Sequence, residues 1–230
     1  MSSRIATHVL LLALGGIAVV VMLTLLVVSG VSAPIDQAII DAVRTPELAP
    51  HLAPLRQVTE LGSTWAVVIV ALVTVGVGVA IGPWLHGVIG AVVIGLASLG
   101  NSALKAVVAR ERPDLLEPIL VERGFSFPSG HAALGMVAWG ILAVLVSRSR
   151  LPPAGRRALI AALAALVFLI GLSRIWLGVH YPTDVLAGWT AGATVVLVYA
   201  ELTRGVSREP AAAAVDADRA EPRSGRPAAG

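Results

Sequence analysis

Six long apolar runs, at 6–29, 65–82, 85 to about 109, 131 to about 146, 158 to about 172 and 182–202, leave this chain few folds to choose from. In hydrocarbon every backbone N–H and C=O must find a partner within the chain, so a spanning segment is a helix or a strand of a closed barrel. Runs near twenty residues match a helix crossing ~30 Å of bilayer core. We therefore expect an all-α bundle of six transmembrane helices. The first run could be read as a cleaved signal peptide, with Arg4 in its n-region and residues 31–33 as the small-residue site. It exceeds the roughly 7–15 residues of an h-region, and Pro34 would follow the cut, so we read an uncleaved span.

Composition agrees: 57% of residues are hydrophobic and the mean hydropathy is +0.86, far from a soluble domain. One domain is expected over residues 1–205. Residues 206–230, rich in Ala, Pro, Arg and acids with no apolar periodicity, are expected to form a disordered cytoplasmic tail. With no cysteine, a disulfide framework and a thiolate metal site are both excluded. The net charge of +3 comes from dispersed arginines and the single Lys105, not one basic face, which argues against a nucleic-acid partner.

Between the first two runs the chain turns amphipathic. Ile35, Ile39, Ile40 and Val43 fall on one helical face with Asp36, Asp41 and Arg44 elsewhere, and Leu48, Leu52, Leu55 and Val58 repeat the pattern. Two short helices lying on the membrane surface are expected, either as a connector or as a rim where lipid approaches. Gly87, Gly90, Gly95 and Gly100 are expected to permit close helix contact. Arg148, Arg150, Arg156 and Arg157 crowd the link between the fourth and fifth runs, while Arg4, Arg204 and Arg208 flank the outermost runs. By the positive-inside rule those faces are cytoplasmic. Both termini then lie inside, in a multi-pass protein of the plasma (inner) membrane. The links holding Arg110 to Phe127 and Arg174 to Tyr181 lie outside.

Charges in such a chain must be neutralised, solvated or used. Arg174 can fork two N–H donors onto a phosphate, neutral His180 can attack phosphorus, and Asp184, four residues on, can hold the imidazole in one tautomer. Lys105 and Arg112 are seven apart and share a face if the helix continues between them, with Pro113 ending it. Pro128-Ser129-Gly130-His131 opens the fourth run, where a helix N-terminus presents free N–H groups and Gly130 lets backbone approach an anion. Each residue also has a plainer reading: Ser129 as an N-cap, Lys105 as a snorkelling end residue, His131 as an interfacial imidazole. What favours chemistry is their shared depth at one end of the bundle.

These residues form three ordered motifs: Lys105 with Arg112-Pro113, Pro128-Ser129-Gly130-His131, and Ser173-Arg174 with His180 and Asp184. The set resembles the K-x6-R-P, P-S-G-H and S-R-x5-H-x3-D signature of the type 2 phosphatidic acid phosphatase (PAP2) family, whose superfamily includes vanadium haloperoxidases and bacterial acid phosphatases. The resemblance implies a PAP2/haloperoxidase-like core with His180 as nucleophile forming a phosphohistidine, Asp184 orienting it and His131 protonating the leaving oxygen. It also implies that Lys105, Arg112, Ser129, Gly130 and Arg174 bind phosphate, with neither metal nor cofactor.

The expected activity is hydrolysis of a lipid phosphate or diphosphate among the membrane lipids, with undecaprenyl diphosphate preferred over phosphatidic acid or phosphatidylglycerophosphate. A transporter would instead place polar groups and broken helices near the midplane, where this chain is plain. A phospholipid-binding protein without turnover would keep the pocket and differ only in rate.

Overall fold

The computed structural model describes residues 3–45, 54–81, 84–114, 120 and 122–206. Its helices are α1 (Ser3–Val28), α2 (Ala33–Val43), α3 (Leu55–Glu60), α4 (Thr64–Ile81), α5 (Trp84–Val108), α6 (Gly130–Ser147), α7 (Pro153–Trp176) and α8 (Pro182–Val206). No strand occurs among the described residues. Six of the helices, α1 and α4 to α8, are long and apolar enough to cross a bilayer. The protein is a multi-pass, all-helical membrane protein.

α6 is the hub, packing against α4, α5, α7 and α8. Half of its apolar window is buried inside the protein against 6% for α1, so α1 is peripheral and leans on α8. The central cluster joins Val67 and Val70 of α4, Ile94 of α5, Val137, Ala138 and Ile141 of α6, and Tyr199 of α8. Lipid is as apolar as these side chains, so close packing rather than exclusion from water holds them together. Glycines permit it. A Cβ at Gly78 would sit 2.8 Å from the Cα of Gly87, where α4 and α5 touch backbone to backbone. Gly87 and Gly90 thus behave as expected, but nothing lies within 4 Å of a Cβ at Gly95 or Gly100. Those two face open space and make no close contact.

The boundaries of several elements depart from the sequence expectation. α7 starts at Pro153, because proline suits a first helical turn, and runs to Trp176, so Arg174 sits on a helix rather than in the following link. α5 stops at Val108 instead of continuing through Arg112. Ala109 adopts φ +49°, and Arg112, which precedes Pro113, is pushed away from helical geometry. Lys105 and Arg112 therefore do not share a helix face. α8 continues four residues past Leu202 to Val206. The expected tail beyond it, 207–230, lies outside the described residues, as do Leu48 and Leu52.

α2 is the expected short amphipathic helix, with one feature the pattern does not show. Its buried residues are Asp36 and Ile40, while Ile35 and Ile39 are 67% and 38% exposed. Asp36 is turned inward beside Ile40 because it meets Arg110 and Thr183 there, while Gln37 and Asp41 stay exposed. In α3 the buried residue is likewise polar, Thr59.

At the opposite end of the bundle Arg148 donates to the Thr203 hydroxyl at 2.8 Å and to the Ala200 carbonyl at 2.9 Å. The Tyr199 hydroxyl donates to the carbonyl of His86 at 2.9 Å. At least one arginine of the topology signal is thus also a tie among α5, α6 and α8.

Candidate active site

The alternation of helix direction brings the ends of α5 and α7 and the starts of α6 and α8 to one end of the bundle. Two further glycines make α6 and α8 meet there. A Cβ at Gly188 would lie 2.7 Å from the Ser129 carbonyl, and one at Gly192 2.7 Å from that of Ala133. With the backbones this close, the N–H of Ser129 donates to the carbonyl of Asp184 at 2.9 Å, locking the two motifs together.

After α7 the chain turns through Gly178 at φ +71°, a conformation that favours glycine. The N–H groups of Val179 and His180 both donate to the Arg174 carbonyl, at 3.1 and 3.3 Å. The turn thereby swings His180 back into the bundle, where its side chain is almost wholly buried. Its Nδ1 lies 3.3 Å from Asp184 Oδ2, and its Nε2 lies 3.2 Å from Arg112 Nη1. A carboxylate can only accept and a guanidinium can only donate. Both neighbours therefore select the same tautomer, with the proton on Nδ1 and the Nε2 lone pair facing Arg112. Burial, followed by the nearby charges of Arg174, Arg112 and Lys105 and by His131, holds the His180 imidazole well below the usual histidine range and keeps it neutral.

The cations surround this ring. Arg112, in the extended segment after α5, donates to the Val179 carbonyl at 2.8 Å and the Gly124 carbonyl at 3.0 Å. Lys105 Nζ reaches the carbonyls of Phe125 at 2.6 Å and Ser126 at 3.2 Å. Arg174, fully buried, donates to the Thr59 hydroxyl at 2.7 Å and to Glu122 Oε1 at 2.5 Å, while its buried Nε makes no hydrogen bond. Ser129 caps α6, accepting from the Ala132 N–H at 3.5 Å, so its plainer reading holds. Ala133 makes the first intrahelical bond, to the Ser129 carbonyl, so the N–H groups of Gly130 and His131 precede the ladder. A Cβ at Gly130 would lie 3.9 Å from Lys105 Cε. His131 follows on α6, half-buried and close enough to Glu122 and His180 to influence both.

All the residues singled out in the sequence thus gather at one place. Several that share it were not anticipated. Glu122 bridges Arg174 and, at 3.8 Å, Arg112. Burial alone would raise its carboxyl, but Arg174, His131 and Arg112 outweigh this and leave it below the usual range, hence ionised. Arg110 pairs with both Asp184 and Asp36 at 2.7 Å. The available signal was weak, because Arg110 lies beside Glu111 and Arg112 and Glu122 beside Arg123, so neither stands out as an isolated charge.

Residues 86–207, just over half of the chain, match the PAP2 superfamily, and the chain belongs to it. It is 31% identical over 137 residues to phosphatidylglycerophosphatase B of Bacillus subtilis, a match covering 59% of this chain and 66% of that protein. It is 40% identical over 96 residues to decaprenylphosphoryl-5-phosphoribose phosphatase of Mycolicibacterium smegmatis, covering 40% of this chain and 47% of that one. The chain thus spans less than two thirds of the length of these curated relatives. Among solved structures, the transmembrane PAP2 type phosphatidylglycerolphosphate phosphatase of Bacillus subtilis superposes with a TM-score of 0.75 at 26% identity, over 86% of this chain and 98% of that one.

Proposed function

We propose that this chain is an integral membrane lipid phosphatase acting through a phosphohistidine. The reading is carried by the His180 ring: its Nε2 lone pair faces Arg112 in a pocket of cations, while Asp184 fixes the other nitrogen. In the first step Nε2 forms a bond to phosphorus, the P–O bond to the lipid breaks, and the leaving oxygen takes a proton from His131. Glu122 lies beside that imidazole to balance its charge. In the second step water attacks phosphorus, gives its proton to His131, and the P–N bond breaks to release phosphate. Lys105, Arg112, Arg174 and the N–H groups at the start of α6 stabilise charge on the equatorial oxygens. Phosphate displaces the Glu122 carboxylate and the loop carbonyls now holding these donors.

The lipid tail has a matching place. An apolar cavity of about 380 Å³ begins at Asn101, Leu104 and Pro128, beside the pocket, and a second of about 440 Å³ reaches Tyr199 and Leu202. They share Val93, Ala191 and Val195 as a common wall. From Leu104 to Ile89 the α5 axis alone advances roughly 22 Å. Two apolar cavities end to end along α5 suit one extended chain, so we read the substrate as a prenyl diphosphate of the undecaprenyl type, ahead of phosphatidic acid or phosphatidylglycerophosphate.

Purified protein assayed against undecaprenyl diphosphate, farnesyl diphosphate, phosphatidic acid and phosphatidylglycerophosphate is expected to favour the long prenyl diphosphate at least about tenfold in kcat/KM. A glycerolipid preference would overturn the prenyl reading, and no phosphate release from any of them the phosphatase itself. The same rates should survive EDTA, since arginine, lysine and a helix terminus do what a Lewis acid otherwise does. Loss restored by Mg²⁺ would contradict this.

The pocket lies opposite the arginine-rich links, which supports reading it as extracytoplasmic with both termini inside. Because the chain has no cysteine, Arg123→Cys, at an exposed position of the 122–127 segment, gives a clean test. An impermeant maleimide is expected to label it in intact cells. Labelling that requires permeabilised cells would invert the orientation.

A further inference from the structure

The pocket's own residues do not account for a second charged cluster directly behind them. Asp36, fully buried on the surface helix α2, accepts from Arg110 Nη2 at 2.7 Å, from the Thr183 hydroxyl at 2.6 Å and from the Thr183 N–H at 3.0 Å. Arg110 turns its other nitrogen, Nη1, to Asp184 Oδ1 at 2.7 Å and to the Thr183 hydroxyl at 2.8 Å. Its guanidinium lies 4.0 Å over the Tyr181 ring, which fixes its plane. The remaining oxygen of Asp184, Oδ2, takes the Tyr181 N–H at 2.9 Å and faces His180 Nδ1 at 3.3 Å.

We infer that Asp36, acting through Arg110 and Thr183, is a positioning residue for the nucleophile, and that α2 is thereby part of the reaction apparatus. The chain of contacts has one direction. Arg110 holds Asp184 so that Oδ2, and not Oδ1, faces the imidazole, and Asp36 holds Arg110 against Asp184. Charge makes the coupling more than steric. With Asp36 ionised, the single positive charge of Arg110 is shared between two carboxylates, and Asp184 keeps enough negative character to favour the Nδ1–H tautomer and the positive charge that grows on His180 as Nε2 attacks. With Asp36 neutral, Arg110 serves Asp184 alone and cancels that character. A substrate contact is not involved: Asp36 is fully buried and its side chain bonds to Arg110 and Thr183, whereas Lys105, Arg112, Arg174, Glu122 and His131 are the other charged or titratable groups around His180.

The inference rests on the phosphatase reading, and its test separates the two. Asp36→Asn keeps size and one acceptor while removing charge. It is expected to lower kcat about 10–100-fold, the range for partners that act through a first ligand, with KM within about threefold of wild type. In an Asp184→Asn background the same change should cost less than about twofold, because the residue it acts through is already lost. A folded Asp36→Asn protein with wild-type kcat, an equal loss in both backgrounds, or a rise in KM alone would each overturn the proposal. Should that variant fail to fold, Thr183→Val removes the hydroxyl bridging Asp36 and Arg110, and a several-fold loss confined to kcat is expected. Independently of turnover, NMR of ¹⁵N-histidine-labelled protein reads the Nδ1–H proton of His180. That resonance should vanish in Asp184→Asn and shift or broaden in Asp36→Asn. An unchanged signal in Asp36→Asn sinks the positioning role even if no lipid in the panel proves to be a substrate.

Discussion

His180→Ala is expected to abolish phosphate release, with a fall in kcat of at least about 10⁴-fold, since a lost covalent nucleophile leaves only the stabilisation supplied by the surrounding donors. The protein should still fold. Removing the ring leaves Asp184 partnered by Arg110 and the Tyr181 N–H, so no buried carboxylate is stranded. The cost is then that of a cavity, on the order of 1–3 kcal/mol. Substantial residual release by a folded variant would remove His180 from the mechanism. A pH experiment on the wild type tests the same group. Its imidazole is held well below 6.5 by burial and by Arg174, Arg112 and Lys105, and attack requires the neutral form. As pH falls through 6.5 an ordinary imidazole gains its proton, but His180 keeps its lone pair until much lower. Ring shifts of ¹³C-labelled histidine should therefore show it neutral at pH 6, and titration at or above 6.5 would contradict the arrangement of cations.

What could be read from the chain divides along a physical line. The six spans were legible because a bilayer demands continuous apolar helix, and Lys105, His131, Arg174, His180 and Asp184 because isolated charges in such a chain are conspicuous. Local geometry was less so. The seven-residue spacing of Lys105 and Arg112 looks helical, yet Ala109 ends the helix, and Arg112 reaches His180 from an extended strand of chain that a periodic count cannot describe. The amphipathic pattern of α2 marks a surface helix but does not say what its inner side meets. In water an apolar face turns inward, whereas beside lipid Ile35 and Ile39 can face outward, freeing Asp36 to enter the protein and find Arg110. Partners 74 residues apart leave no local signature. Nor do Gly188 and Gly192, whose role depends on which helix α8 happens to meet.

The role of His131 predicts a dependence on the leaving group that no structural role would produce. As a general acid it contributes roughly 10²–10⁴-fold when an alkoxide or phosphate must depart. It contributes little when p-nitrophenolate leaves, because that anion needs no proton. His131→Ala is thus expected to lose about 10²–10⁴-fold on the lipid substrate but to form the phosphohistidine from p-nitrophenyl phosphate at near wild-type rate. The second step still needs a base to take the proton from water, and microscopic reversibility assigns that to the same side chain. Phosphoenzyme should therefore accumulate: rapid mixing is expected to show a burst of about one equivalent of p-nitrophenol followed by slow turnover, the mark of a covalent intermediate. His180→Ala should give no burst. A loss of similar size on both substrates, without a burst, would mean that His131 shapes the pocket and does not transfer the proton. The assignment is supported by the place of His131 in the first turn of α6, within electrostatic reach of both Glu122 and His180.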